Sequence, residues 1–171
     1  GFIDKTGRVV LQGNDWYDAG DFSEGLAAVQ VDVADDTVYR GYKDRRYGFI
    51  DRVGKFVIAP QFSRVKQFSE GRALFVKTGV GFIDRNGKVV IKADYVDGQS
   101  FSEGLAAVAI KSADGKKVWG YIKPDGEWAI RPQFQTANSF NGGLAAVNCD
   151  EYGRRCQAYI DREGKVRWSR S

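Results

Sequence analysis

Gly48-Phe49-Ile50-Asp51-Arg52-Val53-Gly54-Lys55-Phe56-Val57-Ile58-Ala59-Pro60-Gln61-Phe62, followed five residues later by Phe68-Ser69-Glu70-Gly71-Arg72-Ala73-Leu74-Phe75, decides the fold because it recurs. Its first block returns as Gly1-Phe2-Ile3-Asp4, Gly81-Phe82-Ile83-Asp84, Gly120-Tyr121-Ile122-Lys123 and Ala158-Tyr159-Ile160-Asp161, at spacings of 47, 33, 39 and 38 residues. Its second block returns as Phe22-Ser23-Glu24-Gly25, Phe101-Ser102-Glu103-Gly104 and Phe140-Asn141-Gly142-Gly143, always 20 or 21 residues after the first. Length variation is therefore confined to the connection between a Leu-Ala-Ala-Val type segment and the next Gly-Phe-Ile-Asp.

The first block reads as a hairpin. Asp51 opens a turn and Gly54 stands fourth, the pattern of a type I turn closed by a left-handed residue. Asp4/Gly7, Asp84/Gly87 and Asp161/Gly164 repeat it, and Lys123-Pro124-Asp125-Gly126 varies it with a proline whose φ suits the turn. The flanking segments are β-branched or aromatic, and no stretch sustains a helical period. In the segment after the second block, Ala27, Ala73, Ala106 and Ala145 alternate with Ala28, Leu74, Ala107 and Ala146. Both faces are apolar, as in small sheets stacked on one another. The expected fold is all-β: three-stranded antiparallel meanders stacked as an open elongated or superhelical array, with a closed β-propeller as the alternative. The repeat cores are 1-31, 48-77, 81-110 and 119-148, with a half repeat at 157-168. Both ends carry the same hairpin and neither supplies a lone strand to complete the other, which favours the open form.

The composition agrees with one packed unit. The chain has 171 residues, 43% hydrophobic and 28% charged, with a net charge of +4, too apolar and too weakly charged for a disordered chain. No window is long and apolar enough to cross a bilayer as a helix. The start at Gly1 suggests a piece of something longer or processed. Histidine is absent, removing the commonest general base and zinc ligand, so no cofactor or metal is expected. Glu24, Glu70 and Glu103 suit turns better than a hydrolytic pair, because catalysis by two acids needs asymmetry and these occupy one repeated position. The Asp residues suit turns better than calcium loops. Lys and Arg total 26 against 22 acids, but basic residues are interleaved with acids, which argues against nucleic acid. Of 23 aromatic residues, thirteen occupy repeat positions and are assigned to the core: Phe2, Phe49, Phe82, Tyr121, Tyr159, Trp16, Phe62, Tyr95, Phe134, Phe22, Phe68, Phe101 and Phe140.

Trp119-Gly120-Tyr121-Ile122, Ala59-Pro60-Gln61-Phe62, Arg131-Pro132-Gln133-Phe134 and the three Phe-Ser-Glu-Gly copies resemble the WG (KWG) repeat family of bacterial proteins across nearly the whole chain. The Trp-Gly pair stands only at Trp119-Gly120, with Tyr47, Val80 and Gln157 at the equivalent places. The resemblance implies a non-catalytic scaffold that binds another protein, with a cell-envelope glycan or peptidoglycan as the alternative ligand.

Candidate contact residues lie in or beside the variable connections. They are Asp35, Asp36, Tyr39, Arg40, Tyr42, Lys43, Arg45 and Arg46 within the Asp32 to Arg46 connection, and Tyr152, Arg154 and Arg155 in the last one. The acidic start of the first connection and its basic end could instead pair with each other. Cys149 and Cys156, the two cysteines, flank the last connection. If its stems Leu144 to Asn148 and Gln157 to Asp161 pair with the cysteines opposite, a disulfide can form, and with it an expected periplasmic or extracellular location; reduced cysteines would return the cytoplasm to the lead.

Overall fold

The computed structural model describes residues 1–13, 15–33, 44–151 and 154–170, excepting the side chains of 149–151 and 154–156. The described residues contain no helix, hence none long and apolar enough to cross a membrane. Five antiparallel sheets follow one another along the chain. The first has two strands, β1 (Phe2–Ile3) and β2 (Val9–Leu11). The second runs β3 (Asp18–Ala19), β4 (Ala27–Val33), β5 (Asp44–Ile50), β6 (Phe56–Phe62), and the third β7 (Arg64–Val65), β8 (Ala73–Val76), β9 (Val80–Ile83), β10 (Val89–Tyr95). The fourth runs β11 (Asp97–Gly98), β12 (Ala106–Lys111), β13 (Lys117–Ile122), β14 (Trp128–Phe134), and the fifth β15 (Thr136–Ala137), β16 (Ala145–Glu151), β17 (Arg154–Ile160), β18 (Val166–Arg170). No sheet joins a strand from one end of the chain to the other, so the array is open.

The unit differs from the expected meander in two ways. A two-residue strand ahead of each Phe-Ser-Glu-Gly turn, and of its counterpart Phe140-Asn141-Gly142-Gly143, adds a fourth member. The sheet is also phased across the repeats: each Leu-Ala-Ala-Val strand pairs with the following Gly-Phe-Ile-Asp, as in Ala27↔Ile50 and Ala106↔Ile122. One sequence repeat is thus divided between two sheets, and the two-stranded half unit lies at the N-terminal end.

This phasing explains the apolar residues on both faces. Ala27, Val29 and Ile50 pack toward the first sheet, with Phe2, Leu11, Trp16 and Phe22. Their neighbours Leu26, Ala28 and Phe49 pack toward the third, with Phe68, Ala73, Phe75 and Ile83. The same parity continues through Leu74 and Phe82 against Ala106, Val108 and Ile122, then through Ala107 and Tyr121 against Ala145, Val147 and Ile160. A strand's two faces serve two cores because side chains alternate along it. The pattern stops at the fifth sheet. Tyr159 occupies the register of the fully buried Phe49, Phe82 and Tyr121, yet is 42% exposed, because no following sheet among the described residues covers it. Its assignment to the core is corrected accordingly.

Turn chemistry follows the expected scheme. Asp51 accepts the N–H groups of Val53 and Lys55 on one carboxylate oxygen, and Gly54 adopts a φ of 86°. Gly48, Gly81 and Gly120 answer a different demand. A Cβ at any of them would sit 2.6 Å from the carbonyl oxygen of Ile58, Ile91 or Ile130, where the returning strand shifts register. In the fifth sheet the ladder is regular at this point, Ala158 facing Ser169, and alanine fits.

Candidate functional site

The three repeated glutamates form one structural feature. In Ser23-Glu24-Gly25-Leu26 the Ser and Leu backbones exchange hydrogen bonds of 2.9 and 3.0 Å, while Glu24 and Gly25 both take positive φ, 51° and 84°. That is a type I′ turn, which normally prefers asparagine or glycine at its first central position. The glutamate tolerates this backbone because its carboxylate reaches the next turn: Glu24 accepts the Gly71 N–H at 3.1 Å, Glu70 that of Gly104 at 2.9 Å, and Glu103 that of Gly143 at 2.9 Å. Beside them Ser23, Ser69 and Ser102 donate to the carbonyls of Phe68, Phe101 and Phe140 at 2.6 to 2.8 Å. Sequence reasoning identified turn residues but missed this ladder, which runs between residues 32 to 47 positions apart. The fourth turn carries Gly142, φ 62°, where the others carry glutamate, and no described turn follows it.

On the loop edge the first connection is shorter than expected. β4 and β5 extend through Asp32↔Arg45 and Val33↔Asp44, because β-branched Val31 and Val33 continue the ladder. Arg45 lies 3.3 Å from Asp32 and stacks 3.6 Å above the Tyr17 ring, whose hydroxyl donates to Asp32 at 2.7 Å. Arg46 holds Asp44 at 2.7 Å. Arg45 with Asp32 is a pairing of acidic start with basic end, as the sequence left open; Arg46 with Asp44 is a local pair two residues apart on β5. Asp35, Asp36, Tyr39, Arg40, Tyr42, Lys43 and Tyr152 lie outside the described residues, as do the side chains of Arg154 and Arg155. For the cysteines, the backbone register sets Cys149 opposite Cys156.

A third region emerges from the register occupied by the Trp-Gly tryptophan. Trp119 is buried between the fourth and fifth sheets with Ala107, Ala109, Phe134 and Ala137. At the equivalent point of the second sheet, the Tyr47 hydroxyl donates to Asp18 at 2.7 Å. That hydrogen bond first, then burial and the Asp18 charge, pushes the Tyr47 phenol up to about 12. At the equivalent point of the third sheet stands Val80, lining a cleft of about 390 Å³ toward the fourth sheet. Lys66, Lys117 and Asp97 stand at its rim. Although Lys66 is an exposed residue overall, its ammonium is seated against the Gly98 carbonyl at 3.2 Å and the Gln99 side-chain oxygen at 2.6 Å. Burial pushes its pKa down, with the Asp97 charge opposing. Burial likewise works against the Asp97 carboxylate, but Lys117 at 2.8 Å and the Gly98 N–H outweigh it and hold that carboxyl below its usual range. The sequence signal for this cleft was Val80 in place of tryptophan; its charged rim comes from strands too short to be recognised by pattern.

No curated protein compared with the chain matches it. The sequence model described as "WG containing repeat" matches residues 1–32, 47–80, 81–112 and 119–152, well over half of the chain and in step with the sequence repeat. The chain belongs to the WG repeat family.

Proposed function

We propose that this repeat module is a non-catalytic scaffold that binds another protein along its loop edge. The observation that carries this reading is the fate of the repeated carboxylates. Glu24, Glu70 and Glu103, the groups best suited by sequence to acid chemistry, are each spent on a neighbouring turn, while length varies only in connections that share one structural place. Insertions at one place in a repeat array commonly decorate the binding face. Protein is favoured over glycan because a sugar groove needs a row of exposed rings at one register. Phe62 and Phe134 are buried, and Trp16 and Tyr95 half-buried, in the cores between sheets. Opposite cysteines in an antiparallel pair have Cα atoms about 4.5 to 5.5 Å apart, within disulfide reach. The reading therefore includes a Cys149 to Cys156 disulfide and an oxidising, periplasmic or extracellular setting. Replacing residues 34–43 by a two-residue turn tests the binding edge. The shortened protein is expected to keep its unfolding transition and to lose the partner that wild type retains from a bacterial extract. Full retention of that partner removes the loop from the site, and retention by a glycan array instead of protein transfers the function to carbohydrate.

A further inference from the structure

We propose that the cleft between the third and fourth sheets is a binding site for an anionic group carried on a flat apolar ring, the chemistry of an aryl phosphate or aryl carboxylate. Its volume, about 390 Å³, suits one such ring with its charged substituent. Leu74, Val76, Val80 and Val96 supply an apolar lining, and Arg64, Lys66 and Lys117 converge with one acid, Asp97, for a local excess of two positive charges. Lys117 is committed to Asp97. The Lys66 ammonium has two acceptors for its three donors, and the Arg64 guanidinium has no hydrogen bond or ion pair among the described residues. A planar guanidinium beside a part-seated ammonium is suited to two oxygens of one anion.

Comparison along the repeat shows why the space is here. Between the fourth and fifth sheets, the Trp119 ring occupies this register over the small side chains Ala107, Ala109 and Ala137. Between the third and fourth, bulk has moved to Leu74 and Val76 on the preceding strand, and buried Val80 lines the cleft where the fourth sheet has the tryptophan ring. Gly98 stands where the fifth sheet has Ala137, and a Cβ there would approach Leu74 and Val80 to 3.0 Å. The cleft is thus the place between two sheets where the family's own aromatic ring is missing and an external ring has somewhere to stack. A free aryl acid and an aromatic side chain flanked by acids on a peptide offer the same chemistry. The inference does not depend on the loop-edge reading.

The test follows the backbone amides of the isotope-labelled protein by NMR while phenyl phosphate, phenol or an acetylated, amidated Asp-Phe-Asp tripeptide is added. Phenyl phosphate is expected to shift the amides of Val65, Gly98 and Gln99, with phenol binding roughly tenfold more weakly for want of a charge-assisted hydrogen bond. Arg64→Glu, on the exposed rim and harmless to folding, is expected to weaken phenyl phosphate by at least about tenfold. Val80→Trp is expected to abolish the shifts by restoring the internal ring. Tighter binding of the tripeptide identifies a peptide as the source, and tighter binding of phenyl phosphate a free acid. No shift at these amides with either anion, an equal response to phenol, or unchanged binding in Arg64→Glu overturns the proposal.

Discussion

Trp119 shares its core with Ala107, Ala109 and Ala137, whereas Val80, in the same register one sheet earlier, shares its core with Leu74 and leaves a cleft beside it. Both interfaces join adjacent sheets through turns with the same pair of positive-φ residues and the same carboxylate ladder, although the last of these turns carries Gly142 in place of glutamate. They differ in which strand carries the bulk and in how polar groups are treated. Between the third and fourth sheets, Arg72 replaces the leucine found at positions 26 and 105, and its Nε is buried without a partner. The repeat therefore tolerates erosion of a packing position provided the turns that align the sheets are kept. The eroded interface is where space and charge accumulate.

Truncating the two register equivalents should separate the interfaces most sharply. Trp119→Ala is expected to cost about 3–5 kcal/mol, the usual range for a buried aromatic, against about 1–2 kcal/mol for Val80→Ala. Urea denaturation of both variants measures the difference, and equal losses would show that the two interfaces are packed alike. Next in size is a gain: Arg72→Leu returns the eroded interface to the repeat pattern and removes a buried unpaired donor, so stability should rise by about 1–2 kcal/mol. A loss of stability in that variant would mean that Arg72 packs better than leucine can.

The ladder common to both interfaces should respond equally on either side. Glu70→Ala and Glu103→Ala each remove a hydrogen bond between turns without relieving the positive φ, at an expected cost of about 1 kcal/mol. Gly142→Glu should cost a similar amount, since it adds the strain with no described turn to accept the carboxylate. If Glu70→Ala is neutral while Glu103→Ala is not, the ladder itself differs between the interfaces. The smallest expected effect concerns the third residue in this register. The Tyr47 phenol, at about 12, lies above its ordinary value of 10.0, so its hydrogen bond to Asp18 supports the fold fully below pH 10 and is lost as pH rises toward 12. Tyr47→Phe should flatten the alkaline limb of a stability-against-pH curve, and an unchanged limb would place the titration elsewhere.

Much of the fold is legible because its determinants are local. Asp and Gly three residues apart specify four of the hairpins and Lys123-Pro124-Asp125-Gly126 the other, and alternating apolar residues in segments such as Leu26-Ala27-Ala28-Val29 imply cover on both faces. Strands such as Arg64–Val65 and Asp97–Gly98 are too short to leave a pattern, so the rim of the cleft was hidden with them. The loop-edge residues Arg45 and Arg46 were recognisable as charged and adjacent to a connection. The engagement of Arg45 with Asp32 depended on a cross-strand register that spacing leaves open, whereas Arg46 meets Asp44 within its own strand.

By itself the sequence determined the repeat, the turns, the strand class and the family, because each depends on residues a few positions apart and recurs often enough to be recognised. Tertiary structure alone decided that a repeat is divided between two sheets, that each glutamate serves the turn of the next repeat, that Tyr159 is exposed while Tyr121 is buried, and that Val80 opens onto charged residues of two sheets. These depend on which surfaces meet. Similar local patterns at positions 121 and 159 give opposite burial because burial is a property of the neighbouring sheet, which lies against the face of Tyr121, while none among the described residues lies against that of Tyr159.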